Sequence, residues 1–102
     1  MSQKANWTVT FSNQVRKQQK KLPEAVCNAL TALVYDLQEN GPEAVEWRNY
    51  GKLSGKKNYF HCHLNKNHPR YVAVWKVETE TIRLIEVRYV GTHESVNYNR
   101  ID

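Results

Sequence analysis

One stretch of this sequence decides its fold, Tyr71-Val72-Ala73-Val74-Trp75-Lys76-Val77, which is almost continuously apolar. A short run of β-branched and aromatic residues without alternation is typical of a strand that is buried on both faces. Such a strand lies in the interior of a sheet and needs a partner on each side. The sequence therefore predicts a central strand here, with further strands before and after it in the chain.

Two alternating runs supply those partners. Residues 58–65 form the earlier run and residues 81–90 form the later one. Within the later run, 82–90 is the longest predicted strand. The polar residues 78–80 form a tight turn before it. Successive side chains of a strand point to opposite faces, so each run has one apolar face and one polar face. The apolar sets are Phe60, Cys62 and Leu64, then Ile85 and Val87; the polar sets are Tyr59, His61 and His63, then Glu86 and Arg88.

The first 42 residues predict one strand and two helices. Residues 7–11 alternate as a short strand, and Ser12 offers an N-cap for a helix over 13–21. A second helix begins at Pro23, carries an apolar stripe and ends at Asn40-Gly41-Pro42. The predicted fold is α+β, with element order β-α-α-β-β-β, in which an antiparallel helical hairpin packs on a mostly antiparallel four-stranded sheet.

Composition narrows the class of protein. With 102 residues, 40% hydrophobic and 25% charged, the chain is expected to form a single domain over 1–102. Its net charge of +5 favours anionic partners, nucleic acid first. No apolar run is long enough to cross a bilayer, and residues 1–6 do not resemble a signal peptide, so we expect a cytoplasmic protein. Cys27 and Cys62 fit no metal spacing and are expected to be unpaired, apolar side chains.

The order of the motifs resembles the RelE/ParE superfamily of toxins from bacterial toxin–antitoxin pairs. Lys52-Leu53-Ser54-Gly55 resembles the family's Lys-Leu-x-Gly entry to the sheet, and Tyr71–Val77 resembles its central strand. The segment from Tyr89 through Gly91-Thr92-His93 to Tyr98 resembles the terminal signature. A basic helix between Phe11-Ser12 and Leu22-Pro23 completes the likeness, which covers nearly the whole chain.

The resemblance implies one of two activities. RelE-like and HigB-like members cleave mRNA on the ribosome without a metal or other cofactor, whereas ParE-like members poison DNA gyrase and lack catalytic residues. In the cleavage reaction the ribose 2′-OH attacks its own phosphorus and leaves a 2′,3′-cyclic phosphate, which requires a base, an acid and cations. A third reading is a non-catalytic binding module or repressor subunit.

The resemblance places His93 and Tyr98 as the candidate catalytic residues. Histidine suits either proton role because its ordinary pKa lies near 6.5, and a tyrosine can orient a base or act as a weak acid or base. Tyr59, His61 and His63 are further candidates for the cleft. His61-x-His63 also permits a metal site, but nothing in the sequence supplies a third ligand with an open position, so no metal is predicted. The candidate phosphate-binding cations are Lys52, Lys56, Lys57, Arg70 and Lys76.

One position departs from the family. RelE-like nucleases often carry an arginine directly after the tyrosine of the central strand, where this chain has Val72. Either Arg70 or Lys76, the cations nearest to it in sequence, supplies the missing charge, or no residue does. The resemblance also implies partners: a cognate antitoxin that covers the basic surface, the ribosome with its mRNA, and operator DNA reached through the antitoxin. It implies no membrane partner.

Overall fold

A mixed sheet organises residues 6–101, the part of the chain that a computed structural model describes, and it has five strands there. Their order across the sheet is β1 (Thr8–Phe11), β5 (Leu84–Thr92), β4 (Tyr71–Thr79), β3 (Tyr59–His63) and β2 (Gly51–Lys52). β4 lies in the middle, antiparallel to β3 and β5, and β1 joins β5 in parallel. The predicted α+β class and central strand are therefore confirmed, and the elements follow the predicted order apart from the additional strand β2.

The sheet of residues 6–101 has one more strand than the four predicted. Gly51 and Lys52 pair with His61 and Phe60 in antiparallel register, so the start of the basic loop becomes the edge strand β2. Two residues are too few to show alternation, and periodicity therefore carries no signal for such a strand. The consequence is that the basic loop is anchored beside His61.

The last strand also differs in its bounds. β4 continues through Thr79, and β5 begins at Leu84 and extends to Thr92, two residues beyond the predicted end. Arg83 has a φ of 55°, and its N–H donates to the carbonyl of Glu80 at 3.3 Å, which makes residues 80–83 a turn. Ile82, predicted to start the strand, is 67% exposed in that turn.

β5 contains an irregularity at Arg88. Trp75 pairs with Val87, whereas the preceding Val74 pairs with Tyr89, so Arg88 is an extra residue on β5, as in a β-bulge. The guanidinium of Arg88 forms ion pairs with Glu78 and with Glu86, the latter at 2.6 Å. This positive charge is thus already balanced by carboxylates.

Capping residues fix the helices. Ser12 Oγ accepts the N–H of Val15 at 3.2 Å at the start of α1 (Asn13–Gln18), and the predicted helix ends in a 3-10 turn, Gln19–Lys21. Pro23 precedes α2 (Glu24–Asn40). Gly41 ends α2 with a φ of 94°, and a Cβ there would lie 3.0 Å from Trp7 Nε1, so both conformation and space favour glycine. No helix within residues 6–101 has the length and apolar character needed to cross a membrane.

The main core lies between the helices and one face of the sheet. Trp75 is fully buried there, stacks on Phe60 at 6.2 Å between ring centroids, and donates its Nε1–H to the carbonyl of Pro42 at 3.0 Å. The predicted apolar face of β3 is confirmed. Other buried members of this core include Val15, Val26, Leu30, Leu33, Leu37, Cys62, Leu64, Ala73, Val77, Ile85, Val87 and Val90.

Trp47 anchors the connection between α2 and β2 to this core. Its ring packs against the core, and its Nε1–H donates to Asp36 Oδ2 at 3.0 Å. Cys27 and Cys62 are both unpaired, as expected. Burial, with a smaller effect of Asp36, raises the pKa of the Cys62 thiol to about 12, so it stays a neutral apolar group.

A second, smaller apolar cluster covers the opposite face of the sheet. Its buried members are Tyr59, Val72, Val74, Tyr89 and Ile101, with Leu53, Val96 and Tyr98 packed against it. Leu53 comes from the basic loop, and Val96, Tyr98 and Ile101 come from the C-terminal part of the described chain. This C-terminal segment, residues 96–101, therefore folds back over the face that carries the histidines.

Candidate active site

His61 and His63 project from β3 on the face opposite the helices, as the alternation predicts, and both are partly buried. Gly51 of β2 lies opposite His61, and a Cβ at Gly51 would come within 3.3 Å of His61 Nε2. The glycine therefore allows the imidazole of His61 to lie close against the edge strand. This contact is the local reason why a glycine suits the start of the basic loop.

His93 meets His63 just beyond the end of β5. The N–H of His93 donates to the carbonyl of Arg70 at 2.7 Å, which fixes the backbone at the start of the turn. The two imidazoles then lie edge to face with ring centroids 5.5 Å apart. His93 is exposed, whereas His63 is partly buried. The structure thus brings together a β3 histidine and the leading catalytic candidate.

Tyr98 reaches the same face from a 3-10 turn, Tyr98–Arg100, near the C-terminus. The side chain of Asn97 caps that turn by accepting the N–H of Asn99 at 3.1 Å. The Tyr98 ring lies 6.5 Å from the ring of His61, centroid to centroid. Burial raises the pKa of Tyr98, so the phenol is neutral at physiological pH and can donate a hydrogen bond.

The electrostatics of the site favour uncharged imidazoles on β3. Burial lowers the pKa of His61, and the positive charge of His93 lowers it further. The pKa of His63 is lowered first by burial, then by His93, Arg70, His61 and Arg48. A pKa below the ordinary value near 6.5 leaves both rings neutral near pH 7, able to accept a proton.

A cleft of about 620 Å³ opens between the basic loop and the C-terminal segment. Its volume lies within the range of about 300 to 1,000 Å³ typical of ligand sites. His61 and Tyr98 belong to the lining, whereas His63 and His93 do not. The residues that line it are Lys52, Leu53, Ser54, Gly55, Lys56, His61, Tyr98 and Asn99.

The predicted cations divide by location. Lys56 and Lys76 place their Nζ atoms 5.1 and 5.5 Å from the ring centroid of Tyr59. Tyr59 itself is only 4% exposed, so this predicted cleft residue is a buried support beneath the two ammonium groups. Lys52 lines the cleft, but its Nζ lies 5.9 Å from the centroid of Phe60, which belongs to the main core.

Lys57 and Arg70 are exposed and do not line the cleft. Arg70 stands next to the site through its backbone, since its carbonyl accepts the N–H of His93. Val72, where the family often has arginine, is fully buried in the smaller cluster and pairs with His63 on one side and Gly91 on the other. The cross-strand neighbour of that position on β3 therefore carries an imidazole.

Ile101 is a site residue that the sequence reasoning missed. It is 3% exposed in the smaller cluster, and its carbonyl accepts a hydrogen bond from Lys56 Nζ at 3.2 Å. A signal was present, because Ile101 is an aliphatic residue between Arg100 and Asp102. No set of three His, Cys, Asp or Glu side chains within residues 6–101 has an arrangement that could hold a metal ion.

The arrangement of strands and helices matches solved structures of toxins. A free-state variant of the E. coli toxin RelE superposes with a TM-score of 0.73 at 20% identity, covering 94% of each chain. The chain has the RelE fold. An archaeal RelE–RelB complex from Pyrococcus horikoshii OT3 gives a TM-score of 0.68 at 19% identity, covering 89% of this chain and 99% of the other.

The same fold is found in the YoeB dimer of Staphylococcus aureus, with a TM-score of 0.64, 19% identity, and coverage of 87% of this chain and 99% of that one. No protein-family model matches this sequence, and no curated protein matches it either. At identities near 20%, these superpositions establish the RelE fold alone. The activity of this chain has to be argued from its own site.

Proposed function

We propose that this protein is the toxin of a toxin–antitoxin pair and that it cleaves mRNA on the ribosome. The observation that carries the proposal is the gathering of His61, His63, His93 and Tyr98 on one face of a RelE-fold sheet. The E. coli protein RelE, whose fold this chain shares, is a toxin, which supports the same role here. Action on ribosomes implies a cytoplasmic location.

A neutral imidazole is the first requirement of metal-free RNA cleavage, because a base must remove the proton of the 2′-OH as its oxygen attacks phosphorus. His61 fits this step, since its lowered pKa keeps it uncharged and it lines the cleft. As the new P–O2′ bond forms, the bond from phosphorus to the 5′-oxygen breaks. The products are a 2′,3′-cyclic phosphate and a free 5′-hydroxyl.

The leaving 5′-oxygen needs a proton from an acid. We assign this step to the imidazolium form of His93, which is exposed to solvent and lies edge to face with His63. Tyr98 is a neutral phenol next to His61, and its role is to donate a hydrogen bond to the reacting phosphate or to stack on a base.

The crowded phosphorane carries extra negative charge that nearby cations stabilise. Lys76 is the cation best placed for this role, because it lies on the histidine face of the sheet over Tyr59. Lys52, Lys57 and Arg70 are exposed, which suits contacts to more distant phosphates of mRNA or ribosomal RNA. Their contribution to binding should therefore fall with increasing salt.

In-cell mapping of RNA ends after brief induction tests the proposal. We expect arrest of growth and translation, with new 5′ ends inside codons of translated messages. His93→Ala should restore growth, and His68→Ala is the matched control because His68 is exposed on the loop between β3 and β4. Full toxicity of folded His93→Ala would remove His93 from the mechanism.

Other outcomes separate this function from its alternatives. DNA damage and stalled replication with translation initially intact would show that the protein is a gyrase poison and not a nuclease. Harmless accumulation of folded wild-type protein would favour a binding module or repressor subunit. Each result contradicts RNA cleavage through a different observation.

We further propose a cognate antitoxin as the partner, with operator DNA bound through it. RelE of Pyrococcus horikoshii is found with RelB, and YoeB of Staphylococcus aureus with YefM, which supports a protein partner here. A small gene adjacent to this one should encode a protein that neutralises toxicity when co-expressed. The two proteins should co-purify and together shift operator DNA in a gel; a neighbour that neither binds nor protects would contradict the pairing.

A further inference from the structure

The C-terminal segment is fastened to the sheet at one point beyond Tyr98. Ile101 is 3% exposed and belongs to the same apolar cluster as Val72, Val74 and Tyr89. The intervening residues, Asn99 and Arg100, are exposed. Burial of an aliphatic side chain is worth about 1.5 to 3 kcal/mol relative to exposure, so Ile101 is the main apolar anchor at the end of the described segment.

A hydrogen bond from a distant lysine reinforces that anchor. Lys56 Nζ donates to the carbonyl of Ile101 at 3.2 Å, across 45 positions of sequence. The same ammonium lies 5.1 Å from the ring centroid of Tyr59, which supports it from below. The ammonium of Lys76 lies 5.5 Å from the same ring centroid, but within residues 6–101 it forms no hydrogen bond with the C-terminal segment.

The 3-10 turn links the position of Ile101 to that of Tyr98 in the site. Tyr98 and Ile101 stand at the start and just past the end of one 3-10 turn, so the position of one determines that of the other. Tyr98 packs against the cluster that Ile101 completes, and its ring lies 6.5 Å from that of His61. We propose that Lys56 and Ile101 are positioning residues that hold Tyr98 over His61.

This inference rests on the proposed nuclease function only for its catalytic consequence. Lys56 then acts through the C-terminal segment and not as a phosphate ligand, unlike Lys76 on the same ring. A displacement of about 1 Å can reduce turnover by about 100-fold, so loss of either fastening should lower kcat strongly. KM for ribosome-bound mRNA should stay nearly constant, because exposed cations elsewhere provide the binding.

NMR of the purified full chain tests the positioning without reference to activity. Wild-type protein should show a nuclear Overhauser effect between the rings of Tyr98 and His61, and it should be lost in Lys56→Met and in Ile101→Ala. Lys56→Met retains the methylenes and removes the ammonium. Lys76→Met is the matched control, since it removes the other cation over Tyr59 and should leave the effect intact.

The pKa of the Tyr98 phenol provides a second structural measurement. Burial raises this pKa above its ordinary value of 10.0, so release of the segment in Lys56→Met or Ile101→Ala should lower it toward that value. The conservative variants Lys56→Arg and Ile101→Val should restore the raised pKa. Unfolding curves of every variant verify that the sheet itself remains folded.

Kinetics on programmed ribosomes complete the test. We expect kcat to fall about 100-fold in Lys56→Met and in Ile101→Ala. Adding Tyr98→Phe to either variant should cause no further loss. The control Lys66→Met, on an exposed loop, should have the kcat of the wild type. The proposal is wrong if Tyr98 stays in place in both folded variants, or if it moves equally in Lys76→Met. It is also wrong if Tyr98 moves and kcat is unchanged. A wild-type chain that cleaves no RNA refutes the nuclease function, and the NMR result then decides the positioning alone.

Discussion

The imidazole of His93 meets that of His63 edge to face, with ring centroids 5.5 Å apart, although thirty positions of sequence separate them. The register of β4 creates this contact, because Val72 pairs with His63 on one side and with Gly91, two residues before His93, on the other. Two titratable rings at this distance influence each other's charge. The pair therefore has a measurable electrostatic signature.

Replacing His93 with glutamine should raise the pKa of His63 and, to a smaller extent, that of His61. Burial is the largest cause of both lowered values, and the positive charge of His93 is the next, so the variant removes only the second cause. NMR titration of the ring protons measures both values. His68→Gln is the control, since that exposed side chain is not among the causes for either ring. An unchanged His63 titration would contradict the coupling.

The same lowered pKa values predict that stability decreases in mild acid. The folded state holds His61 and His63 with a pKa below the ordinary 6.5, so the unfolded chain binds more protons as pH falls. The stabilisation is therefore complete above about pH 6.5 and is lost as pH falls through the folded-state values. Urea unfolding at a series of pH values from about 7.5 to 5 should show this decline. The double variant His61→Gln/His63→Gln should show a flatter profile, and an equal slope in both proteins would exclude these rings as its source.

Alternation in β3 and the apolar run in β4 were sufficient to predict the central sheet, because burial imposes a period that the side chains display directly. The family likeness of the terminal signature led to His93 and Tyr98. The edge strand Gly51–Lys52 left no such pattern, since two residues cannot display a period. Its presence follows from pairing with β3, which is a tertiary effect.

The limits of sequence reasoning within the site have a similar origin. Lys52, Lys56 and Lys76 look equivalent as cations in the sequence. In the structure Lys52 lies over Phe60, whereas Lys56 and Lys76 both lie over Tyr59. Lys56 differs from Lys76 in that it also donates to the Ile101 carbonyl. These differences depend on which way each strand residue points and on how residues 96–101 return across the sheet. A contact between Lys56 and Ile101 spans 45 positions and has no local signature.

The turn before β5 offers a matched pair of isoleucines for a stability measurement. Ile85 is fully buried in the main core, whereas Ile82 is 67% exposed. Ile85→Ala should lower the free energy of unfolding by about 2 to 5 kcal/mol through lost burial and a cavity. Ile82→Ala should change it by less than about 0.5 kcal/mol. Denaturant unfolding of both variants measures the difference, and similar costs would place Ile82 in the strand, as the sequence first predicted.

Gly91 provides a test of the packing beneath the site. A Cβ at this position would lie 2.6 Å from Tyr89 Oη and 2.9 Å from Tyr89 Cζ, so the ring must move. That movement disturbs the smaller apolar cluster and the hydrogen bond from Tyr89 Oη to the carbonyl of Thr92 at 3.0 Å. Gly91→Ala should therefore destabilise the fold by about 1 to 3 kcal/mol.

A double-mutant cycle with Tyr89→Phe assigns that cost to the clash with Tyr89. Tyr89→Phe removes the hydroxyl that comes nearest to the added methyl, so Gly91→Ala should cost less in the Tyr89→Phe background than in wild type. Part of the cost should remain, because the ring carbon at 2.9 Å is still too close. Denaturant unfolding of the four proteins gives the interaction energy. Strict additivity would mean that the added methyl acts on the backbone of β5 and not on the ring of Tyr89.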